Sequence, residues 1–344
     1  TIFRTEGSTT WHVAVVCDGK GSGAYSREGS RITVEYVEQN LPTLLSKQFS
    51  DEILLAAERG TRQAAVVEAF WYSLVQVARG AAENLKVVSD RYQKPLRDFD
   101  TTFLMTAATK VEAGWLVGAF AIGDGGIALV DSHAASVVPM MIPDAGAAAG
   151  ETRFLSLSEF QESDLILRRL RIALVPNLDY LVLMSDGITD AKIPTEKDLG
   201  NWDKWEPFLK DDLLAAVEFS PANPLASQQL LDWLDFRVTG EHDDRTIVVV
   251  HGKSGKTYEF VDSMIGAGGM KDVFFSPDRS YVVAFFRDKV DAVAQQRLEK
   301  ITGTYRQGIF DAPGGDYWRE RFCWPYDIVE HNGRVGVVAP TYPQ

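Results

Sequence analysis

The sequence is poor in cysteine and lacks long apolar runs. Its 344 residues include two cysteines, Cys17 and Cys323, which lie far apart and form no metal-binding spacing. This scarcity is typical of proteins from reducing compartments, although a single disulfide between them stays open as an alternative. There is no stretch of about 18 apolar residues and no secretory signal. We therefore expect a cytoplasmic protein that is not embedded in a membrane.

Positive charge is also in short supply. Lysine and arginine number 35 against 48 aspartate and glutamate residues, for a formal net charge of −13. Such a surface repels nucleic acids and anionic membranes, so we expect neither as a partner. The excess carboxylates can instead be gathered around cations. With 45% hydrophobic and 24% charged residues, the composition is that of an ordinary globular protein of two domains or one large one.

The hydrophobic pattern alternates between helical and strand-rich sections. The segment "WHVAVVCDG" is typical of a buried strand that ends in a turn, and helical spacing follows over 26–46 and 60–88. The segments "TTFLMTAATK", "GWLVGAFAIGDGGIALVD" and "ASVVPMMI" then predict antiparallel strands, with "GDGG" as a hairpin turn and 145–151 as a flexible loop. Helical pieces are predicted over 207–240.

A change of texture near residue 252 indicates a domain boundary. The stretch "GKSGKTYE" is polar, bears glycine and follows an apolar strand, as a linker would. We therefore predict two domains, residues 1–252 and 253–344. In the second, a glycine-rich loop, short strands, a helix over 290–308 and further strands over 321–340 are expected.

Aspartates stand at the ends of several predicted strands. Asp18 follows "AVVC", Asp186 follows "LVLMS", and Asp243 and Asp244 precede "RTIVVV". Strand ends on one edge can converge, and converging carboxylates repel one another unless cations lie between them. Mg²⁺ and Mn²⁺ prefer such oxygen ligands. Each Asp-Gly pair is by itself typical of a turn, so a turn and a metal site both stay open at this point.

A phosphate-binding P-loop is the other interpretation of "CDGKGSGAY". The pattern G-x-x-x-x-G-K-[ST] requires glycine at position 14 and serine or threonine after the lysine. The chain has Ala14 and Gly21 at those positions, so the spacing excludes a P-loop.

Five blocks occur in an order that resembles a known family. "VVCDGKGSG", "DFDTTFLMTA", "AFAIGDGGIAL", "VLMSDGITD" and "HDDRTIVVV" are similar to the signature blocks of metal-dependent Ser/Thr protein phosphatases, the protein phosphatase 2C family, in its bacterial branch. The resemblance covers roughly residues 11–250. It implies an α+β fold, a four-layer α-β-β-α sandwich, and an enzyme that removes phosphate from phosphoserine and phosphothreonine in a phosphoprotein substrate.

The resemblance also implies roles for individual residues. Asp18 matches a carboxylate that bridges two Mn²⁺ or Mg²⁺ ions, and Gly19 would offer its carbonyl oxygen to one of them. Asp186 and Asp243 match further ligands, so the catalytic set comprises these three aspartates. Asp124 matches a ligand to a loosely bound third ion. Two such ions share a water, lower its pKa and produce the nucleophile for in-line attack on phosphorus.

Some features depart from the family pattern. Asp244 stands where asparagine is common, and no segment before Trp11 matches the strand that usually carries a phosphate-gripping arginine; Arg4 and Glu6 are poor substitutes by spacing. The alternative is therefore a catalytically weak pseudophosphatase that acts as a scaffold and docks a signalling partner. His12 and His242 are candidates to protonate the leaving group, against the interpretation that both are structural.

The second domain resembles the small lobe of a protein kinase. "IGAGGMKDV" matches most of G-x-G-x-x-G-x-V, with Lys271 at the third glycine position. The strand "SYVVAFFRDK" follows, with Phe286 where a nucleotide-binding lysine is usual, so Arg287 or Lys289 would replace it, with Glu299 as its partner. No "HRD" or "DFG" follows, so we expect no phosphate transfer by this part. A linked or partner kinase is a candidate partner of the phosphatase.

Overall fold

A computed structural model describes residues 2–4, 9–132, 134–144, 152–219, 223, 225–236, 243–252, 258–267, 269–290, 294, 297–298, 300–331 and 334–341. The chain divides into two compact units, Thr1–Lys253 and Ser254–Gln344. None of the helices in these described ranges combines the length and apolar character needed to cross a bilayer.

The first unit contains nine strands and ten α-helices among its described residues. The strands are β1 (Ile2–Arg4), β2 (Thr10–Val16), β3 (Phe103–Val111), β4 (Gly114–Ile122), β5 (Gly126–Asp131), β6 (Ser136–Pro139), β7 (Leu170–Val175), β8 (Tyr180–Met184) and β9 (Ile247–His251). The helices are α1 (Ser26–Gln48), α2 (Asp51–Arg59), α3 (Ala64–Phe70), α4 (Gln76–Tyr92), α5 (Ser163–Arg169), α6 (Asp186–Lys192), α7 (Glu196–Leu199), α8 (Trp202–Pro207), α9 (Leu214–Ala216) and α10 (Ala226–Leu234).

These strands form two antiparallel sheets. One has the order β1-β2-β3-β4-β7 and the other the order β6-β5-β8-β9. The long helix predicted over 60–88 is interrupted: α3 and α4 are joined by a π-helical turn, Trp71–Val75. A π-turn inserts one residue per turn and rotates the apolar stripe, so α3 and α4 both keep buried faces.

The prediction of a hairpin at "GDGG" is wrong. β4 pairs with β3 and β7, whereas β5 pairs with β6 and β8, so the turn at 123–125 joins two different sheets. A short glycine turn between apolar runs has the same local signature whether the second strand pairs with the first or crosses to another layer. The crossover is decided by burial on both strand faces.

Two hydrophobic clusters define four layers. One cluster lies between the sheets and extends to the helices beyond the four-stranded sheet, where Trp205 and Phe208 are buried. The other packs the five-stranded sheet against α1, α3 and α4, through Trp11, Phe70 and Phe103. The order helix, sheet, sheet, helix is the expected α-β-β-α sandwich.

The second unit is a five-stranded antiparallel sheet with short helices. Its order is β10-β11-β12-β14-β13. The strands are β10 (Met264–Ala267), β11 (Lys271–Phe275), β12 (Tyr281–Phe286), β13 (Asp327–His331) and β14 (Arg334–Pro340); the helical elements are a π-helical turn (Ile301–Tyr305), α11 (Arg306–Asp311) and α12 (Gly315–Arg321). A small core of Val283, Phe285 and Val338 lies on one face. The sequence predicts a helix over 290–308. Most of the residues of this helix before residue 300 lie outside the described residues.

Close packing of α1 yields a test of the fold. A Cβ built on Gly29 would lie 2.1 Å from the carbonyl oxygen of Phe99, which is backbone and cannot swing away. Alanine normally favours a helix over glycine, but here overpacking outweighs that gain, so we expect Gly29→Ala to lower the free energy of unfolding by about 1–2 kcal/mol. Urea titration followed by circular dichroism measures the change.

Gly21→Ala is the matched control for this substitution. No atom lies within 4 Å of a Cβ at Gly21, so its effect is expected within about 0.5 kcal/mol. Equal stability of the Gly29 and Gly21 variants would contradict the packing of α1 against the segment before β3.

Candidate active site

One end of the sandwich collects strand ends from both sheets. In the five-stranded sheet, β2 ends where β3 begins and β4 ends. In the four-stranded sheet, β8 ends where β5 and β9 begin. Residues 123–125 cross between the sheets at this same end. Asp18, Asp124, Asp186 and Asp243 lie just beyond these strand ends and are thereby brought together.

The backbone of Asp18 is held by the residues that precede β3. Its N–H donates to the Thr102 hydroxyl at 2.9 Å. Its carbonyl oxygen accepts the Thr102 N–H at 2.7 Å and the Thr101 hydroxyl at 2.9 Å. Gly19 packs against the start of α1, where a Cβ would lie 2.8 Å from the carbonyl carbon of Ser26. The two threonines just before β3 therefore support the backbone of Asp18.

Asp186 begins α6 directly after β8. Its Oδ1 accepts the N–H of Gly187 at 2.8 Å. The next chain segment comes so close that a Cβ on Gly187 would lie 2.5 Å from the carbonyl oxygen of Asp244. Ser185 fastens this contact, since its hydroxyl accepts the Thr246 N–H at 3.0 Å and its N–H donates to the Thr246 carbonyl at 3.0 Å. The segment before β9 is thus pinned beside Asp186.

The carboxyls at this end of the sandwich influence one another electrostatically. Burial, followed by the charges of Asp124, Asp18 and Asp243, raises the pKa of Asp186 to about 7. Burial also raises the pKa of Asp18 to about 6; a hydrogen bond from Asp186 opposes this rise, and the charges of Asp243, Asp244 and Asp124 add to it. In the metal-free protein, one proton is therefore shared between Asp18 and Asp186 near neutral pH.

Two carboxylate oxygens at this end are buried without a donor. When the aspartates are ionised, Oδ2 of Asp18 and Oδ1 of Asp124 have no hydrogen-bond partner among the described residues. Buried, unpaired carboxylate oxygens are costly unless a proton or a cation meets them. Their chemistry fits a hard divalent cation. Across the described ranges, however, no three or more His, Cys, Asp or Glu side chains stand together as a ready ligand set.

Other residues considered for the site lie elsewhere or are already paired. His12 is near the start of β2, six residues and about 20 Å of extended strand from Asp18; it packs on the Trp115 ring at 5.3 Å, so it cannot protonate a leaving group at the carboxylates. Arg4 pairs with Thr10, also at the far end of β2. Lys20 is engaged by Asp100, with 3.2 Å from Nζ to Oδ2. His242 and Glu6 lie outside the described residues.

A second set of polar residues supports the turn at 123–125 and was missed by sequence reasoning. Asp144 bonds the backbone of Gly123, Thr152 donates its hydroxyl to Oδ2 of Asp124, and the buried Arg169 pairs with Asp144 at 2.9 Å. These residues follow no hydrophobic periodicity, and they lie in none of the five sequence blocks that carry the family resemblance. The predicted loop 145–151 between them lies outside the described residues.

Comparison with known proteins identifies the class to which this architecture belongs. A family model described as protein phosphatase 2C matches residues 2–235. The fold and the matched region therefore place the chain in a class of protein phosphatases. It belongs to the protein phosphatase 2C family, whose members are protein Ser/Thr phosphatases, and the resemblance of the first domain is confirmed. No curated protein sequence matches the chain significantly.

Several solved bacterial structures are similar at low identity. Serine/threonine phosphatase Stp1 from Staphylococcus aureus is 16% identical over 73% of this chain and 87% of that one, with a TM-score of 0.40. The Mycobacterium tuberculosis serine/threonine phosphatase PstP/Ppp is 15% identical over 72% and 89%, with a TM-score of 0.37. PppA, a regulatory component of T6SS in Pseudomonas aeruginosa, is 15% identical over 69% and 84%, with a TM-score of 0.39. The family assignment rests on the family model.

The shared proton predicts an unusual pH dependence of stability without metal. Asp186 has a folded-state pKa of about 7 against an ordinary value of about 3.9, so the folded state binds this proton more tightly than the unfolded state. Its contribution to stability is complete below about pH 4 and is lost as pH rises towards 7. We expect Asp186→Asn to raise the melting temperature in EDTA at pH 8 relative to wild type, with a much smaller difference at pH 4.

Differential scanning fluorimetry across this pH range measures the effect. Asp164→Asn, which removes an exposed carboxylate at the start of α5, is the control and should leave the wild-type pH profile unchanged. A melting temperature for Asp186→Asn that stays below wild type throughout would contradict the mutual repulsion of the carboxyls.

Proposed function

We propose that the first unit is a metal-dependent protein phosphatase that hydrolyses phosphoserine and phosphothreonine esters. One observation carries this proposal: aspartates next to strand ends of both sheets influence one another electrostatically, and two of their buried oxygens have no donor in the described part of the chain. Such a concentration of negative charge is costly at a site that binds only neutral groups, because the carboxylates repel one another. The proposed substrate is a phosphoprotein.

Asp18, Asp186 and Asp243 would hold Mn²⁺ or Mg²⁺, with Asp124 as a ligand to a further ion and Gly19 offering its carbonyl. When bound, such ions supply an activated water at neutral pH and offset the charge of a phosphoryl group. Asp18 is placed centrally for this task, because its carboxyl interacts with the carboxyls of Asp186, Asp243 and Asp124, which lie on three other chain segments. Its backbone bonds to Thr101 and Thr102 keep it there.

The chain's own residues define what the site can and cannot do. Lys20 is paired with Asp100 and lies 5.0 Å from the Phe154 ring, so it is not placed as a free phosphate ligand. Cys17, next to Asp18, has its thiol pKa raised by burial, which disfavours a thiolate nucleophile. Direct attack by water on phosphorus therefore suits the site better than a covalent cysteine intermediate.

A second candidate function is a scaffold without turnover. It is favoured by one observation, the absence of a ready three-residue ligand set among the described residues. Calorimetric titration with Mn²⁺ separates the two candidates. Binding together with hydrolysis supports the phosphatase, whereas neither uptake at millimolar Mn²⁺ nor hydrolysis supports the scaffold.

The second unit is proposed to resemble a kinase small lobe that lacks nucleotide-gripping groups. Its five-stranded sheet, with helical residues between the third and fourth strands along the chain, is compatible with that resemblance. Arg287, a candidate to replace the missing lysine, is bonded to Asp272 at 2.7 Å, and Arg334 bonds the same carboxylate at 2.7 Å. Glu299 lies outside the described residues. A kinase as partner or substrate remains part of this proposal.

Replacement of the central carboxylate tests the enzyme directly. With Mn²⁺ present, we expect wild type to hydrolyse para-nitrophenyl phosphate and a phosphothreonine peptide. Asp18→Asn should lower kcat by more than about 100-fold, because even outer-shell partners of metal ligands typically contribute 10–100-fold. Steady-state kinetics measure the change.

Asp90→Asn serves as the matched control. Asp90 is an exposed residue of α4 that pairs with Lys86 at 3.1 Å, and its replacement should leave kcat unchanged. Full turnover by Asp18→Asn would sink the metal mechanism, and no turnover by wild type would sink the proposed activity.

A further inference from the structure

A buried arginine lies close to the carboxylate end of the sandwich without belonging to it. Arg169 ends α5 immediately before β7, and its side chain is only 4% exposed. Its Nη2 donates to Oδ2 of Asp144 at 2.9 Å and forms an ion pair with Oε2 of Glu159 at 2.5 Å. A buried ionic triad is weak evidence for stability, because desolvation of the three charges offsets their attraction. The geometry around Asp144 supplies another reason for it.

Asp144 holds the residue that precedes Asp124 from two sides. Its N–H donates to the carbonyl oxygen of Gly123 at 2.8 Å, and its Oδ2 accepts the N–H of Gly123 at 3.2 Å. Gly123 has φ +127°, a conformation that favours glycine, and a Cβ there would lie 2.8 Å from the Thr102 side chain. The peptide that leads into Asp124 is therefore set by Asp144 together with the buried Thr102.

The two oxygens of Asp124 are used differently. Oδ2 accepts the hydroxyl of Thr152, whereas Oδ1 is buried with no hydrogen-bond partner in the described ranges. One oxygen is thus held by the protein and the other is left for a group that the chain does not provide. The direction of that second oxygen depends on the torsions of the Gly123–Asp124 peptide.

We propose that Arg169 is a positioning residue for Asp124. By binding Asp144 and Glu159 with one nitrogen, it holds Asp144 where both of its bonds to Gly123 form, and the Gly123 peptide then directs Oδ1 of Asp124 towards the other carboxylates. The inference rests on the proposed function in one respect: it assumes that Oδ1 of Asp124, directed in this way, favours binding of a cation. A lysine side chain ends one atom short of Nη2 and carries its charge on a flexible stem, so it cannot hold a donor at both carboxylates in the same way.

The test uses the full chain and three variants. Asp144→Ala removes the carboxylate that accepts the Gly123 N–H, and Arg169→Lys keeps the charge but withdraws the nitrogen that contacts Asp144 and Glu159. Arg153→Gln is the control, because Arg153 contacts Glu159 at 3.3 Å, is 41% exposed and forms no hydrogen bond to Gly123 or Asp144 within the described ranges. Amide hydrogen exchange at Gly123, measured by NMR in EDTA, reports the positioning without any metal or turnover.

We expect exchange at Gly123 to accelerate roughly tenfold or more in Asp144→Ala, because a hydrogen bond to a charged acceptor is lost. Arg169→Lys should shift in the same direction, and Arg153→Gln should match wild type. If Asp144→Ala does not fold, Arg169→Lys carries the test. Exchange at Gly123 that is unchanged in every folded variant overturns the proposal.

Calorimetric Mn²⁺ titration tests the consequence for the cation. Asp144→Ala and Arg169→Lys should weaken binding by about 10-fold or more, as outer-shell partners typically do. In an Asp124→Asn background the same changes should have no further effect, since their route runs through Asp124. Additive losses in that background overturn the route. Accelerated exchange with no Mn²⁺ binding by wild type would instead defeat the proposed function and leave the positioning intact.

Discussion

Repulsion among carboxylates at one end of the sandwich is the constraint on which the site depends. Asp18 and Asp186 are both half-buried and in reach of a shared proton, and each also experiences the charges of Asp124 and Asp243. Such a group cannot be fully ionised in a partly dry site without a compensating charge. In the metal-free protein, the raised pKa values of Asp18 and Asp186 are the consequence, because bound protons reduce the repulsion.

The rest of the first unit supplies the rigidity that this repulsion demands. Two sheets share one buried cluster, and α1, α3 and α4 cover the outer face of the five-stranded sheet. Neutral hydroxyl groups fix the peptides of the aspartates: Thr101 and Thr102 hold Asp18, and Ser185 ties the start of α6 to Thr246, just before β9. Since these bonds engage backbone atoms, the carboxylates keep their oxygens for other partners.

Much of this site could be predicted from local sequence, because each aspartate follows or precedes an apolar run that must be a strand. The five sequence blocks indicated the family, and the family resemblance implied the layered fold. The crossover at 123–125 could not be predicted, since a Gly-Asp-Gly turn is locally the same in a hairpin. Asp144 and Arg169 were also missed: they are 25 residues apart in sequence and meet only in the folded chain. The prediction that His12 lies near the carboxylates was wrong, because the extended strand β2 separates His12 from Asp18 although the two are close in sequence.

The crossover gives Asp124 a different mechanical position from the other aspartates. Asp18 belongs to the five-stranded sheet and Asp186 to the four-stranded sheet, whereas Asp124 lies on the only described segment that passes directly from a strand of one to a strand of the other at this end. Any slip between the sheets therefore reorients Asp124 relative to both. Gly123 has φ +127°, a conformation that side-chain-bearing residues rarely adopt, so the neighbouring residues have to hold the turn in this geometry. Hydrogen bonds from Asp144 and Thr152 hold the turn and Asp124. The buried Arg169 in turn holds Asp144 in place.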